Sequence, residues 1–146
     1  MEGTGTGRSG ATVLLVDDEP LILTVMEDFL SVHGLTVLVA RDGNEALRLA
    51  VERSPDIIVL DVVVPAMDGY EICRRLKADP RTREIQVILH TILKGAEVQA
   101  RGEAAGADFI VHKPIRPLSL ILKTVDTALA KRRQSGLPSG APPPRS

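Results

Sequence analysis

Side chains with useful chemistry follow four short apolar runs of the sequence. The runs occupy residues 13–16, 57–60, 87–90 and 109–112. The residues directly after them are Asp17 and Asp18, Asp61, Thr91, and Lys113. Three carboxylates, one hydroxyl and one ammonium group could together bind a divalent cation and a phosphoryl group.

The character of the runs predicts that these side chains meet. Each run is short, apolar and rich in β-branched residues, which is typical of a strand buried on both faces of a parallel sheet. In an open α/β sheet, ligands bind beyond the carboxyl ends of the strands. Taken singly, each residue has an ordinary explanation, such as a turn for Asp61 or a helix start for Asp17 and Asp18. The ordered set favours a site.

The segments between the runs read as helices that alternate with strands. Strands are predicted at residues 13–16, 35–40, 56–60, 85–90 and 107–112, and the last two helices at 95–105 and 118–133. Asp42 and Asp68 are suited to cap two of the helices. This alternation predicts an α/β fold, a doubly wound five-stranded parallel sheet with helices on both faces. Without a G-x-G-x-x-G motif after the first strand, the flavodoxin-like order 2-1-3-4-5 is favoured, with its switch point between strands 1 and 3.

Bulk properties narrow the class of protein. The 146 residues fit one domain, predicted at 11–132 between a flexible lead-in at 1–10 and a disordered Pro/Gly/Ser-rich tail at 133–146. A formal net charge of −1 argues against nucleic acid as a direct partner. No apolar run approaches the roughly 20 residues of a membrane span. With a lone Cys73 and no secretory signal, we expect a cytoplasmic protein without membrane partners.

Three segments resemble the receiver domain of bacterial response regulators. They are VLLVDDEP from residue 13, IIVLDVVVPAMDG from residue 57 and GADFIVHKP from residue 106. The resemblance covers about residues 11–132 in unbroken order. It implies two-component signalling, in which a histidine kinase or phosphotransfer protein passes a phosphoryl group to an aspartate. The modified domain then binds a downstream protein target differently, as in stand-alone receivers of the chemotaxis type.

The resemblance also implies roles for individual residues. Asp61 is the expected phosphoacceptor, and Thr91 and Lys113 are expected to bind phosphoryl oxygens. The expected cofactor is Mg²⁺, and its expected ligands are Asp17, Asp18, Asp61 and the carbonyl group of Val63. Such a domain is a stoichiometric acceptor that catalyses its own phosphorylation and dephosphorylation, and it is not an enzyme acting on an external substrate.

Three departures from the family pattern keep alternatives open. Ile92 stands where receivers have a small residue, which predicts narrower access to the acceptor. Ile110 replaces the aromatic residue that couples phosphorylation to output. No effector domain follows, so the chain is either a stand-alone receiver or a fragment. One alternative is an interaction module that works without phosphorylation. An aspartyl-phosphate phosphatase is disfavoured because Val63 replaces the second acid that such enzymes use.

Overall fold

A computed structural model describes residues 8–136. Five strands and five helices alternate along the chain: β1 (Thr12–Val16), α1 (Pro20–Val32), β2 (Thr36–Ala40), α2 (Gly43–Arg53), β3 (Ile57–Leu60), α3 (Gly69–Ala78), β4 (Gln86–Thr91), α4 (Ala96–Ala105), β5 (Phe109–His112) and α5 (Ser119–Gly136). Within this part of the chain, no helix combines the length and the apolar character needed to cross a membrane.

The strands form one parallel sheet in the order β2-β1-β3-β4-β5. This order and the alternation of strands with helices confirm the predicted doubly wound fold. The register pairs Val16 of β1 with both Ala40 of β2 and Leu60 of β3. Because these residues are level across the sheet, the loops that follow β1 and β3 leave it side by side.

Two apolar cores lie on opposite faces of the sheet. Successive strand residues point to opposite faces, so Val13 and Leu15 of β1 face α1 and α5. Leu14 and Val16 of the same strand face α2, α3 and α4. Both faces of the central strands are therefore buried, which explains why their sequences are apolar without alternation.

The helix starts follow the sequence closely. The side chain of Asp42 accepts a hydrogen bond from the Glu45 N–H group, and Asp68 accepts one from Glu71. Both predicted caps are therefore confirmed. Pro20 opens α1, where its missing N–H group costs no helical hydrogen bond.

The ends of the domain differ from the sequence prediction in two places. Helix α5 continues to Gly136, so residues 133–136, predicted to be part of the tail, are helical. The carbonyl oxygen of Arg8 accepts a hydrogen bond from Ala11, and Arg8 forms an ion pair with Asp126 of α5, which fixes part of the predicted lead-in. The rest of both predicted segments, residues 1–7 and 137–146, lies outside the described residues.

Candidate functional site

The sheet itself places two of the predicted acids next to each other. The Asp61 N–H group donates to the carbonyl oxygen of Val16 at 2.9 Å, and the Asp17 N–H group donates to Ala40 at 3.2 Å. Both aspartates thus continue the ladder of the sheet by one residue, at the switch point between β1 and β3. Both side chains are buried.

Lys113 enters this site from the end of β5. Its Nζ atom lies 2.7 Å from Asp17 Oδ2, 2.9 Å from Asp61 Oδ2 and 3.1 Å from Glu19 Oε1. The backbone N–H group of Lys113 donates to the carbonyl oxygen of Thr91 at 2.8 Å, which fixes where the side chain starts. The peptide bond between Lys113 and Pro114 is cis. The structure therefore brings Asp17, Asp61 and Lys113 together, as the sequence predicts.

Thr91 and Val63 flank this cluster. Thr91 is the last residue of β4, is fully buried, and accepts a hydrogen bond from the Leu93 N–H group at 3.2 Å. The Val63 N–H group donates to Asp61 Oδ1 at 3.2 Å. The roles of Thr91 as a phosphoryl contact and of the Val63 carbonyl group as a metal ligand remain predictions.

The third acid of the cluster is Glu19, which the sequence prediction did not include. Its carboxylate joins Asp17 and Asp61, with one oxygen of each residue within 4.8 Å of the others. The Glu19 N–H group also donates to Asp17 Oδ1 at 3.0 Å. Asp18 is exposed and lies outside this group, so its role as a metal ligand stays a prediction. The signal for Glu19 was present as the third acid of the Asp-Asp-Glu run.

Burial and the ammonium group set the electrostatics of the cluster. Burial raises the pKa of Asp61, while the hydrogen bonds from Lys113 and from the Val63 N–H group act in the opposite direction. Burial lowers the pKa of Lys113, but its hydrogen bonds to Asp17 and Asp61 outweigh burial, and the pKa lies above its usual range. Lys113 is therefore a permanent cation, and Asp61 carries a more basic carboxylate than an exposed aspartate.

The cluster has the composition of a site for a hard divalent cation. Three carboxylates surround one ammonium group, which leaves two negative charges uncompensated when all three acids are ionised. Mg²⁺ is bound in proteins by one or two carboxylates together with water and phosphate oxygens. The residues present therefore fit this ion.

A glycine at the start of α3 lies directly against the loop that begins with Asp61. A Cβ atom on Gly69, the first residue of α3, would lie 2.6 Å from the carbonyl oxygen of Asp61 and 2.7 Å from Val62 Cα. The Gly69 N–H group donates to the Val62 carbonyl oxygen at 2.7 Å. Helix α3 can approach the Asp61 loop this closely only because residue 69 has no side chain.

The two residues that depart from the family pattern lie in different surroundings. Ile92 is 67% exposed and lines an apolar groove between α1 and the loop that follows β5. Ile110 of β5 is half-buried against the core beneath α4. Its Cδ1 atom occupies the space that a side chain on Gly102 of α4 would need, since a Cβ atom there would lie at 2.6 Å.

Fold and site together define a doubly wound α/β protein with an acidic, lysine-bearing site at the switch point of its sheet. The sequence pattern of the response regulator receiver domain matches residues 13–125, so the chain belongs to this family. It is a receiver domain of two-component signalling.

Relatives and solved structures agree with this assignment. Response regulator PleD of Caulobacter vibrioides is 39% identical over 134 residues, which are 86% of this chain but 30% of PleD. Protein PilH of Pseudomonas aeruginosa is 33% identical over 120 residues, 82% of this chain and 98% of PilH. The chemotaxis response regulator CheY4 of Vibrio cholerae superimposes with a TM-score of 0.76 at 31% identity, covering 82% of this chain and 99% of CheY4. The chain thus spans under a third of PleD and nearly all of PilH.

Proposed function

We propose that this receiver is a phosphoacceptor switch whose acceptor is Asp61. The phosphodonor is a phosphohistidine of a histidine kinase or phosphotransfer protein, and the phosphorylated form binds a downstream protein target with altered affinity. One observation carries the proposal: Asp61 is a buried carboxylate at the switch point and is held by a buried lysine. The chain acts as a stoichiometric acceptor and not as an enzyme that turns over an external substrate.

The chemistry needs a nucleophile and a way to neutralise charge. An Asp61 carboxylate oxygen forms the new O–P bond, and the N–P bond of the phosphohistidine breaks with its electron pair leaving on the imidazole nitrogen. Lys113 lies within hydrogen-bonding distance of Asp61 and can bind an oxygen of the arriving group as a point charge. Thr91, at the end of the adjacent strand, is the hydroxyl group that we assign to a second phosphoryl oxygen.

Mg²⁺ would be held by Asp17 and Asp61, with Asp18 and the Val63 carbonyl group as the further ligands that the family resemblance implies. When bound, the ion supplies positive charge beside the transferred phosphoryl group. The chain contributes the crowded carboxylates, which repel one another strongly enough to favour a cation between them.

An apolar groove beside the site fits a protein phosphodonor. The groove measures about 630 Å³ and runs between α1 and the loop after β5. Its lining includes Lys113 of the site and the apolar residues Leu21, Val25, Ile92, Ile115 and Leu118. A donor protein that delivers a phosphohistidine to Asp61 must cover this surface, so we assign the groove to the donor.

Intact mass after incubation with Mg²⁺ and a phosphodonor tests the proposal. We expect one added phosphoryl group from a small acyl phosphate or from a broadly reactive histidine kinase. The gain should disappear in Asp61→Asn and in protein treated with a chelator. A folded protein that gains no mass from either donor, yet binds a partner, would instead be an interaction module that works without phosphorylation.

A further inference from the structure

The ammonium group of Lys113 is fully engaged before any phosphoryl group arrives. A lysine has three N–H donors, and here they face three carboxylates, those of Asp17, Glu19 and Asp61. The three partners differ in exposure. The side chains of Asp17 and Asp61 are 6% and 9% exposed, whereas that of Glu19 is 58% exposed.

A phosphoryl oxygen can receive a hydrogen bond from Lys113 only if one of these carboxylates gives up its own. Asp17 is held in place by Lys113 and by the Glu19 N–H group, and it is buried. Asp61 is the proposed acceptor and stays beside the ammonium group. Removing a buried carboxylate from its partner is costly because no water replaces the lost hydrogen bond. Glu19 faces solvent, so water can replace its contact with Lys113.

We propose that Glu19 is a placeholder that pairs with Lys113 before phosphorylation and is displaced from it by the phosphoryl oxygen. Glu19 is therefore a positioning residue, since it acts through Lys113 and does not touch the reacting atoms. This inference rests on the proposed function, and it assigns a role to the third acid of the Asp-Asp-Glu run.

If Glu19 is a placeholder, removal of its charge should change the affinities for Mg²⁺ and for a phosphoryl group in opposite directions. Glu19→Gln lowers the negative charge of the cluster, which weakens the binding of Mg²⁺. It also removes the anion that competes for Lys113, which strengthens the binding of a phosphoryl group. Distortion or partial unfolding of the site would weaken both, so the opposite signs distinguish the placeholder from a structural role.

Two titrations on the purified full chain measure these effects. Isothermal titration calorimetry on metal-free protein gives the Kd for Mg²⁺. Amide NMR at saturating Mg²⁺ gives the concentration of beryllofluoride, a tetrahedral phosphoryl analogue, at half-saturation. For Glu19→Gln we expect the Kd for Mg²⁺ to rise at least about fivefold and the half-saturating beryllofluoride to fall about fivefold. Fivefold is the factor for unit charges about 4 Å apart in water, and the divalent ion is affected more strongly at the same distance.

Two further variants distinguish the effect of the negative charge of Glu19 from the effect of its contact with Lys113. Glu19→Asp keeps the charge but is shorter by one methylene, so Mg²⁺ binding should hold while beryllofluoride binding tightens. Glu27→Gln removes an exposed charge of α1 and should change neither constant. If the wild type binds beryllofluoride and Glu19→Gln binds it equally well or more weakly, the placeholder role of Glu19 is wrong. The proposed function is not affected by that result. A wild type that binds neither Mg²⁺ nor beryllofluoride overturns the proposed function and the placeholder with it.

Discussion

At the scale of single residues, His90 is a buried titratable residue directly beside Thr91 of the site. It precedes Thr91 in β4 and is buried, and its Nε2 atom has no hydrogen-bond partner among residues 8–136. Burial lowers the pKa of His90 to about 4, and the Lys113 ammonium group acts in the same direction. The imidazole therefore stays neutral in the folded protein well below the pH at which it would charge in the unfolded chain.

This difference makes stability depend on pH. Between pH 6.5 and about 4 the unfolded chain binds a proton at this residue and the folded protein does not, so the free energy of unfolding falls as the pH falls. A shift from 6.5 to about 4 corresponds to up to about 3 kcal/mol. Denaturant unfolding across this window should show that His90→Leu loses less stability than the wild type.

The matched control is the exposed His33. His33→Gln should keep the full loss of stability on acidification, because this substitution leaves the buried His90 in place. If His90→Leu and the wild type lose the same free energy between pH 6.5 and 4, the burial of His90 does not cause the pH dependence.

At the scale of elements, α1 should recognise the phosphodonor with its first turn. Leu21 is 75% exposed and lines the groove beside Lys113, whereas Val32 is 81% exposed at the other end of the same helix. Leu21→Ala should slow phosphotransfer from a histidine kinase about tenfold, the effect of losing a modest interface hot spot. The rate with a small acyl phosphate should stay the same, because that donor does not need the groove.

Val32→Ala removes a comparable apolar surface from α1 and should leave both rates unchanged. Equal slowing of the protein donor by Leu21→Ala and Val32→Ala would mean that the groove does not recognise the donor. Slowing of the small donor by Leu21→Ala would mean that the substitution disturbs the site itself.

Helix α4 packs against β5 through a contact between Gly102 and Ile110. A Cβ atom on Gly102 would lie 2.6 Å from Ile110 Cδ1 and 3.1 Å from Leu89 Cδ1. Gly102→Ala gains up to about 1 kcal/mol of helix propensity. Overpacking costs about 1–3 kcal/mol and lies at the low end here, because the atoms in the way are the ends of two flexible side chains, so we expect a net loss of at most about 1 kcal/mol. In the Ile110→Ala background the clash with residue 110 is gone, and the same substitution should be neutral or stabilising in chemical denaturation. A loss of equal size in both backgrounds would contradict the contact.

Patterns of short range were predictable from the sequence, and contacts set by three-dimensional packing were not. Apolar runs and capping aspartates determine where β1 to β5 lie and how α2 and α3 begin. The meeting of Asp17, Asp61 and Lys113 follows from the strand order. The contact of Glu19 with Lys113 depends on the path of the loop before α1, which no pattern of residue types specifies. Gly69 and Gly102 allow other residues to pack closely because they have no side chain. Those contacts join α3 to the loop after β3, and α4 to β4 and β5, so they depend on how the elements pack.

At the scale of the whole molecule, the site joins elements that are far apart in the chain. The ion pairs of Lys113 connect β5 to β1 across 96 residues of sequence and to β3 across 52. The unfolded chain cannot gather the same three carboxylates, so a cation that binds among them binds the folded protein in preference. Cation binding must therefore stabilise the entire fold by mass action.

Thermal unfolding should report this coupling directly. At a Mg²⁺ concentration about 100 times its Kd, the fold gains about 2.7 kcal/mol. For a domain of this size, each kcal/mol raises Tm by roughly 2–8 °C, so the total rise is on the order of 10 °C. Asp17→Asn and Asp61→Asn remove carboxylates of the cluster and should show a much smaller rise, while sodium sulfate at equal ionic strength controls for general salt effects. Equal rises in the wild type and in both variants would place the stabilising cation outside the cluster, and the link between this site and the stability of the sheet would be lost.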